Sequence, residues 1–240
     1  WFAGNRTRLI GRYDPATGAI EEIMMPDEAA RDPHTLVFDA DEENIWFTVQ
    51  GGNMMGRLNI ANRKVDLIRS RTERSRPYGI KLAPDNSVWV VLFGSNKLAH
   101  IDPETLDHDE ISLPRENARP RRLEVTADGM VWYVDYADGM LGRYNPESEA
   151  FTEWQMPQGQ GARPYGMASD SEGRLWMVAT GVQPNVFLGF DPATESFTHA
   201  TEVGSGGGTI RHMHYHEPSG TVWFGADTNY IGRAIVEPDK

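Results

Sequence analysis

The densest chemistry in the chain is the run Arg211-His212-Met213-His214-Tyr215-His216, which holds three of the seven histidines. On a strand, side chains alternate with a period of two, so His212, His214 and His216 share one side and Met213 and Tyr215 the other. Imidazoles spaced this way can bind zinc or a similar ion, and any one can take a proton near neutral pH. His216 adjoins Glu217-Pro218-Ser219-Gly220, which reads as a surface loop and leaves it outside the candidate site. Counting back eleven residues from the tryptophans at 89, 132, 176 and 223 reaches Tyr78, Arg121, Tyr165 and His212. Counting twelve from Trp46, across a one-residue insertion, reaches His34. A purely structural strand would prefer Val or Ile at these places. Arginine is in phase as well: Arg76, Arg119 and Arg163 each precede a proline, with Arg121, Arg122 and Arg211 close by. The planar guanidinium fork suits a carboxylate or phosphate, and salt bridges between repeats would use the same side chains otherwise.

Positioning these residues falls to a repeat. Trp1, Trp46, Trp89, Trp132, Trp176 and Trp223 are 45, 43, 43, 44 and 47 residues apart. A second landmark follows each: Ile10-Gly11-Arg12, Met55-Gly56-Arg57, Leu98-Ala99-His100, Leu141-Gly142-Arg143, Leu188-Gly189-Phe190 and Ile231-Gly232-Arg233. Asp14-Pro15, Asp102-Pro103, Asn145-Pro146 and Asp191-Pro192 mark type I turns. Alternating runs such as Phe151-Thr152-Glu153-Trp154-Gln155-Met156 read as half-exposed outer strands, and Pro33, Pro77, Pro120 and Pro164 open the next strand. Four short strands per 43 to 47 residues, with no helical segment, is the spacing of a propeller blade. The expectation is all-β: a single β-propeller domain over residues 1–240, with four-stranded antiparallel blades and six Trp-marked repeats. The ring would have six blades, or seven if an upstream blade is missing. The first repeat lacks its inner strand and the last its outer strand, and all six tryptophans should be buried between blades. Opening mid-repeat at Trp1-Phe2-Ala3-Gly4 points to residues upstream.

Composition narrows the partners. With 23 basic and 35 acidic residues the formal charge is −12, a poor start for holding nucleic acid or an anionic membrane surface. No apolar run approaches the roughly 20 residues of a spanning helix. There is no cysteine, hence no disulfide, thiolate metal site or cysteine nucleophile. Cytoplasm, periplasm and secretion stay open, as does the oligomeric state. The glycine run Gly204-Ser205-Gly206-Gly207-Gly208 lacks the Lys-Ser/Thr of a phosphate loop and reads as a flexible connection.

The composite repeat Pro-His/Tyr-Gly-Ile, Asp-Gly-x-Val-Trp-Phe, Ile-Gly-Arg-Tyr-Asp-Pro-x-Thr-Gly and Phe-Thr-Glu-Trp-x-Met-Pro resembles the streptogramin lyase (virginiamycin B lyase) family over essentially the whole chain. The resemblance implies a β-propeller that opens a cyclic depsipeptide by elimination, with a magnesium ion polarising the ester and a histidine taking the proton. The family's histidine near the start of an inner strand matches His34 and His212. Its Glu-x-His element matches His212-Met213-His214, with His in place of Glu. Where the family has Trp-Phe-x-Glu, this chain has Val49, Leu92, Asp135, Ala179 and Ala226, so Asp135 alone could stand in.

The expected function is a lyase acting by β-elimination on a small ester-bearing or carboxylated substrate, a depsipeptide or a uronic-acid sugar, in the central channel. His212 or His214 would abstract the proton beside a carbonyl, with His34 as partner acid. Tyr78 and Tyr165 would orient the substrate, and Arg121, Arg122 and Arg163 would neutralise its carboxylate or the developing enolate. No cofactor and no metal ligand is assigned; a divalent cation, magnesium or zinc, stays open. The alternatives are a non-catalytic propeller binding a ligand or protein on its rim, and a metal-dependent lactonase or esterase.

Overall fold

Short alternating runs separated by Asx-Pro and Gly turns form, in the computed structural model, six antiparallel sheets in which every strand pairs with its sequence neighbour. The structure describes residues 1–237. The chain divides into two compact units, Trp1–Leu113 and the chain from Pro114 onward.

In the first unit, β1 (Phe2–Gly4), β2 (Leu9–Tyr13) and β3 (Ile20–Met24) form a three-stranded sheet. The second sheet holds β4 (Pro33–Phe38), β5 (Asn44–Val49), β6 (Met54–Asn59) and β7 (Val65–Arg69). The third holds β8 (Pro77–Leu82), β9 (Val88–Leu92), β10 (Lys97–Ile101) and β11 (His108–Ser112). In the second unit the fourth sheet comprises β12 (Pro120–Val125), β13 (Val131–Asp135), β14 (Met140–Asn145) and β15 (Ala150–Gln155). The fifth comprises β16 (Pro164–Ser169), β17 (Leu175–Ala179), β18 (Val186–Asp191) and β19 (Ser196–Glu202). The sixth has β20 (Met213–His216), β21 (Thr221–Ala226) and β22 (Tyr230–Ile235). This is the meander of a β-propeller, one sheet to a blade. The first strands of neighbouring sheets lie side by side, β4 against β8 in one unit, and β12, β16 and β20 in succession in the other.

The turns are built as their residue types dictate. The side chains of Asp14, Asp102, Asn145 and Asp191 each accept the backbone N–H two residues on, at 2.8–2.9 Å. The Ile-Gly-Arg landmark has a packing cause. Phe47, Tyr133 and Phe224 lie directly opposite Gly56, Gly142 and Gly232, and a Cβ at each glycine would stand inside the facing ring. Where Val90 takes the aromatic's place, its partner is Ala99. The arginine of the landmark lies opposite the tryptophan, with Arg57 5.6 Å from the Trp46 ring, Arg143 5.3 Å from Trp132 and Arg233 5.6 Å from Trp223. In the fifth sheet the longer β17–β18 connection shifts the register, and Trp176 itself covers Gly189.

Trp46, Trp89, Trp132 and Trp176 are buried, as expected. Trp223 is not: it is 40% exposed. Trp46 packs with Ile80, Val88 and Val90 of the next sheet, Trp132 with Leu175 and Phe190, and Trp176 with Met213 and Val222. These three tryptophans are thus covered by the following blade, and none follows Trp223 among the described residues. Trp1 is half-buried against the cluster around Ile10, Ile45 and Phe47.

Candidate functional site

The prolines that open the first strands do more than start them. In all four complete sheets the pairing of first and second strand slips directly after that proline, between Pro33 and Leu36, Pro77 and Ile80, Pro120 and Arg122, and Pro164 and Met167. Proline has no N–H for the ladder, and a bulge bends the strand and re-aims the next side chain. His34, Tyr78, Arg121 and Tyr165 occupy these four bulges. The residue before the proline adopts a left-handed conformation in three of the four cases, with φ of 65° at Asp32, 52° at Arg76 and 44° at Arg163. The loop after the second strand clasps it: Gln50 N–H donates to Asp32 O at 3.0 Å, Tyr136 N–H to Arg119 O at 3.2 Å and Thr180 N–H to Arg163 O at 3.3 Å.

In the first unit the bulges bring His34 and Tyr78 together, their ring centroids 4.1 Å apart. Buried Thr48 fixes them by donating to Tyr78 O at 2.8 Å and accepting Thr35 N–H at 3.2 Å. Phe93 lies 5.1 Å from Tyr78, and the Arg76 guanidinium 4.9 Å from the Phe93 ring.

In the second unit Arg121 lies 4.4 Å from the Tyr136 ring and 5.1 Å from the Tyr165 ring. Arg122 is buried, and its Nε donates to Arg211 O at 3.1 Å, while Gly166 N–H donates to Ile210 O at 3.1 Å. The segment leading into β20 is thereby held against β12 and β16. Through this bond Arg122 ties strands together. Arg163 is exposed at the end of a 3-10 turn, Gly159–Ala162, and its carbonyl is held by Thr180.

The histidine alternation is as the pattern requires: Met213 is buried, Tyr215 half-buried, and His212, His214 and His216 are exposed. His212 and Arg211 line a cavity of about 400 Å³ with Asp227, Asn229 and Tyr230, and Arg211 is paired with Asp227. His216 is occupied with Ser219, 2.7 Å away, outside this cavity.

Two expectations are corrected. Asp135 is fully buried and accepts Arg115 Nη2 at 2.8 Å and the N–H groups of Arg119 and Ala137 at 2.7 and 3.0 Å. It anchors the loop carrying Tyr136 and cannot serve as a free carboxylate ligand. The glycine run is bonded into place: Gly206 O accepts Asn185 N–H, and Gly208 O accepts the side chains of Asn185 and Gln183. Among the described residues no three His, Cys, Asp or Glu side chains gather so as to hold a metal ion. The residues present therefore do not fit the carboxylate-bound magnesium that the resemblance implies.

Tyr136 and Phe93 escaped the sequence reading, although both sit four residues after a blade tryptophan. Gln50, Thr180 and Asp227 at the same phase conceal the signal.

The sequence model of the Virginiamycin B lyase family matches residues 1–101 and 63–238. The chain belongs to this family. Virginiamycin B lyase from Staphylococcus aureus superposes with a TM-score of 0.78 at 19% identity, over 96% of this chain and 78% of that one. A streptogramin B lyase structure gives 0.79 at 19%, over 97% and 78%. A protein of Bacteroides fragilis provisionally assigned as a 6-phosphogluconolactonase gives 0.70 at 13%, over 94% and 72%, a likeness of fold. Among curated protein sequences nothing matches.

Proposed function

We propose that this member of the virginiamycin B lyase family is a carbon–oxygen lyase acting on a small ester-bearing or carboxylated substrate at the starts of the first strands of its second unit. The observation that carries this is the exposed histidine face of β20, with His212 on the wall of the cavity beside Arg211 and His214 on the same side of the strand. His214 or His212 takes the proton next to a carbonyl; the released electron pair forms the carbon–carbon double bond, and the β carbon–oxygen bond breaks with its electrons on oxygen. In the same unit Tyr165 orients the substrate, and Arg121 and Arg163 offset negative charge.

One solved relative is a catalytically inactive virginiamycin B lyase with quinupristin, which makes quinupristin the first substrate to try. The test follows the absorbance of the new conjugated double bond on incubation with a depsipeptide and with a uronate ester. Turnover lost in both His212→Ala and His214→Ala supports the assignment; turnover unchanged in both removes it. The locking of Asp135 to Arg115 favours a second reading, a propeller that binds such a ligand without converting it. Saturable binding without any product selects that reading.

A further inference from the structure

Arg121 is held by two rings from two different sheets. Its guanidinium carbon lies over Tyr136, from the loop after β13, and over Tyr165, in the bulge of β16. The two rings meet edge to face, with centroids 5.8 Å apart and planes at 80°. Neither is loosely placed. Tyr165 is 7% exposed, and Tyr136 is pinned through its own N–H to Arg119 and through buried Asp135, which Arg115 holds in turn. Arg115 also binds Asp138 at 3.1 Å and Glu153 at 2.7 Å, so the loop bearing Tyr136 rests on a network of three carboxylates around one arginine. Arg121 and Tyr136 keep part of their surface open to solvent. A cation over aromatic faces retains its charge, and the guanidinium is a planar fork that matches a carboxylate.

We propose that Arg121, Tyr136 and Tyr165 form a subsite for a carboxylate carried on a flat ring, in which Tyr136 is a positioning residue that holds the guanidinium and presents its own open face to the ligand ring. The inference rests on the reading of the first-strand starts as the binding face, but not on turnover. Aromatic contact accounts for the ring, and the guanidinium for the carboxylate. A neutral ligand of the same shape satisfies only the first.

Benzoate and its neutral isostere benzamide separate the two contributions, titrated into the whole chain and followed by NMR. The wild type is expected to bind benzoate about tenfold more tightly than benzamide, the scale of one charge-assisted hydrogen bond. Tyr136→Phe should keep that ratio, because the ring and not the hydroxyl holds the cation. Tyr136→Leu should bring the ratio to within about twofold of unity with thermal unfolding unchanged, and Arg121→Gln should do the same if Tyr136→Leu proves unstable. Equal binding of the two probes by the wild type, or a ratio preserved in Tyr136→Leu or in Arg121→Gln, overturns the proposal. Neither probe has a leaving group, so loss of lyase activity with the benzoate preference intact would refute the proposed reaction and leave the subsite standing.

Discussion

Gly142→Ala is the substitution whose cost the structure specifies most closely. A Cβ at position 142 would lie 2.5 Å from Cε2 of Tyr133 and nearer still to its Cζ and hydroxyl, so the ring has to move. It has nowhere to go: Tyr133 is fully buried, and its hydroxyl donates to Glu153 at 2.9 Å. Overpacking of a filled core costs about 1 to 3 kcal/mol. Displacing a hydrogen bond to a charged group costs about 1.5 to 3 more. The sum is about 2.5 to 6 kcal/mol, read from urea unfolding followed by tryptophan fluorescence. The third sheet shows how the clash is relieved, since it pairs Val90 with Ala99. In a Tyr133→Val background, therefore, Gly142→Ala should cost less than about 0.5 kcal/mol, because the added methyl meets no ring and reduces the freedom of the unfolded chain. Equal cost in the two backgrounds would refute the reasoning, and so would a wild-type-like Gly142→Ala.

Trp132→Ala should cost about 3 to 5 kcal/mol, as its ring is enclosed by Trp154 and Phe190, whereas Trp223→Ala, at 40% exposure, should cost about 1; equal urea midpoints for the two would contradict the packing order. Burial pushes the Glu110 carboxyl up, but hydrogen bonds from Ser70, Thr72 and the Arg71 N–H outweigh it and hold the group at about 2, against 4.5 unfolded. This lowered value contributes stability that is fully present above about pH 4.5 and lost as pH falls towards about 2, roughly 3 kcal/mol in all. The advantage of wild type over Glu110→Gln should accordingly shrink across that window in urea titrations, and an advantage independent of pH would be contrary to it. His214→Ala should lower turnover by about 10²- to 10⁴-fold while leaving the melting temperature in place, because the side chain is exposed.

The sheets could be read from the chain because each signal is local. A proline fixes its own φ, an Asx side chain bonds a backbone two residues away, and alternation places Met213 and His214 on opposite faces. Even the bulges are announced by Pro33, Pro77, Pro120 and Pro164, and the four residues that follow them stand out because a purely structural strand would carry Val or Ile there. What lay beyond reach depends on partners distant in sequence. Asp135 looks like a displaced ligand until Arg115, twenty residues earlier, is seen to claim it. Arg122 looks like Arg121 by type and position, yet one reaches the backbone 89 residues away and the other lies between two tyrosines. Trp223 follows the tryptophan period but not its burial, because burial is supplied by the next blade. The glycine of the landmark is periodic in sequence, while its reason, an aromatic ring across the strand pair, appears only with the register.

The most direct test of the proposed reaction is the mass of the product formed from a cyclic depsipeptide ester in heavy-oxygen water. Elimination opens the ring with no change of mass, leaves a carbon–carbon double bond and incorporates no label. A product heavier by one labelled water would make the protein a hydrolase, and an intact ring bound at saturation would make it a binding protein; either result contradicts the lyase assignment.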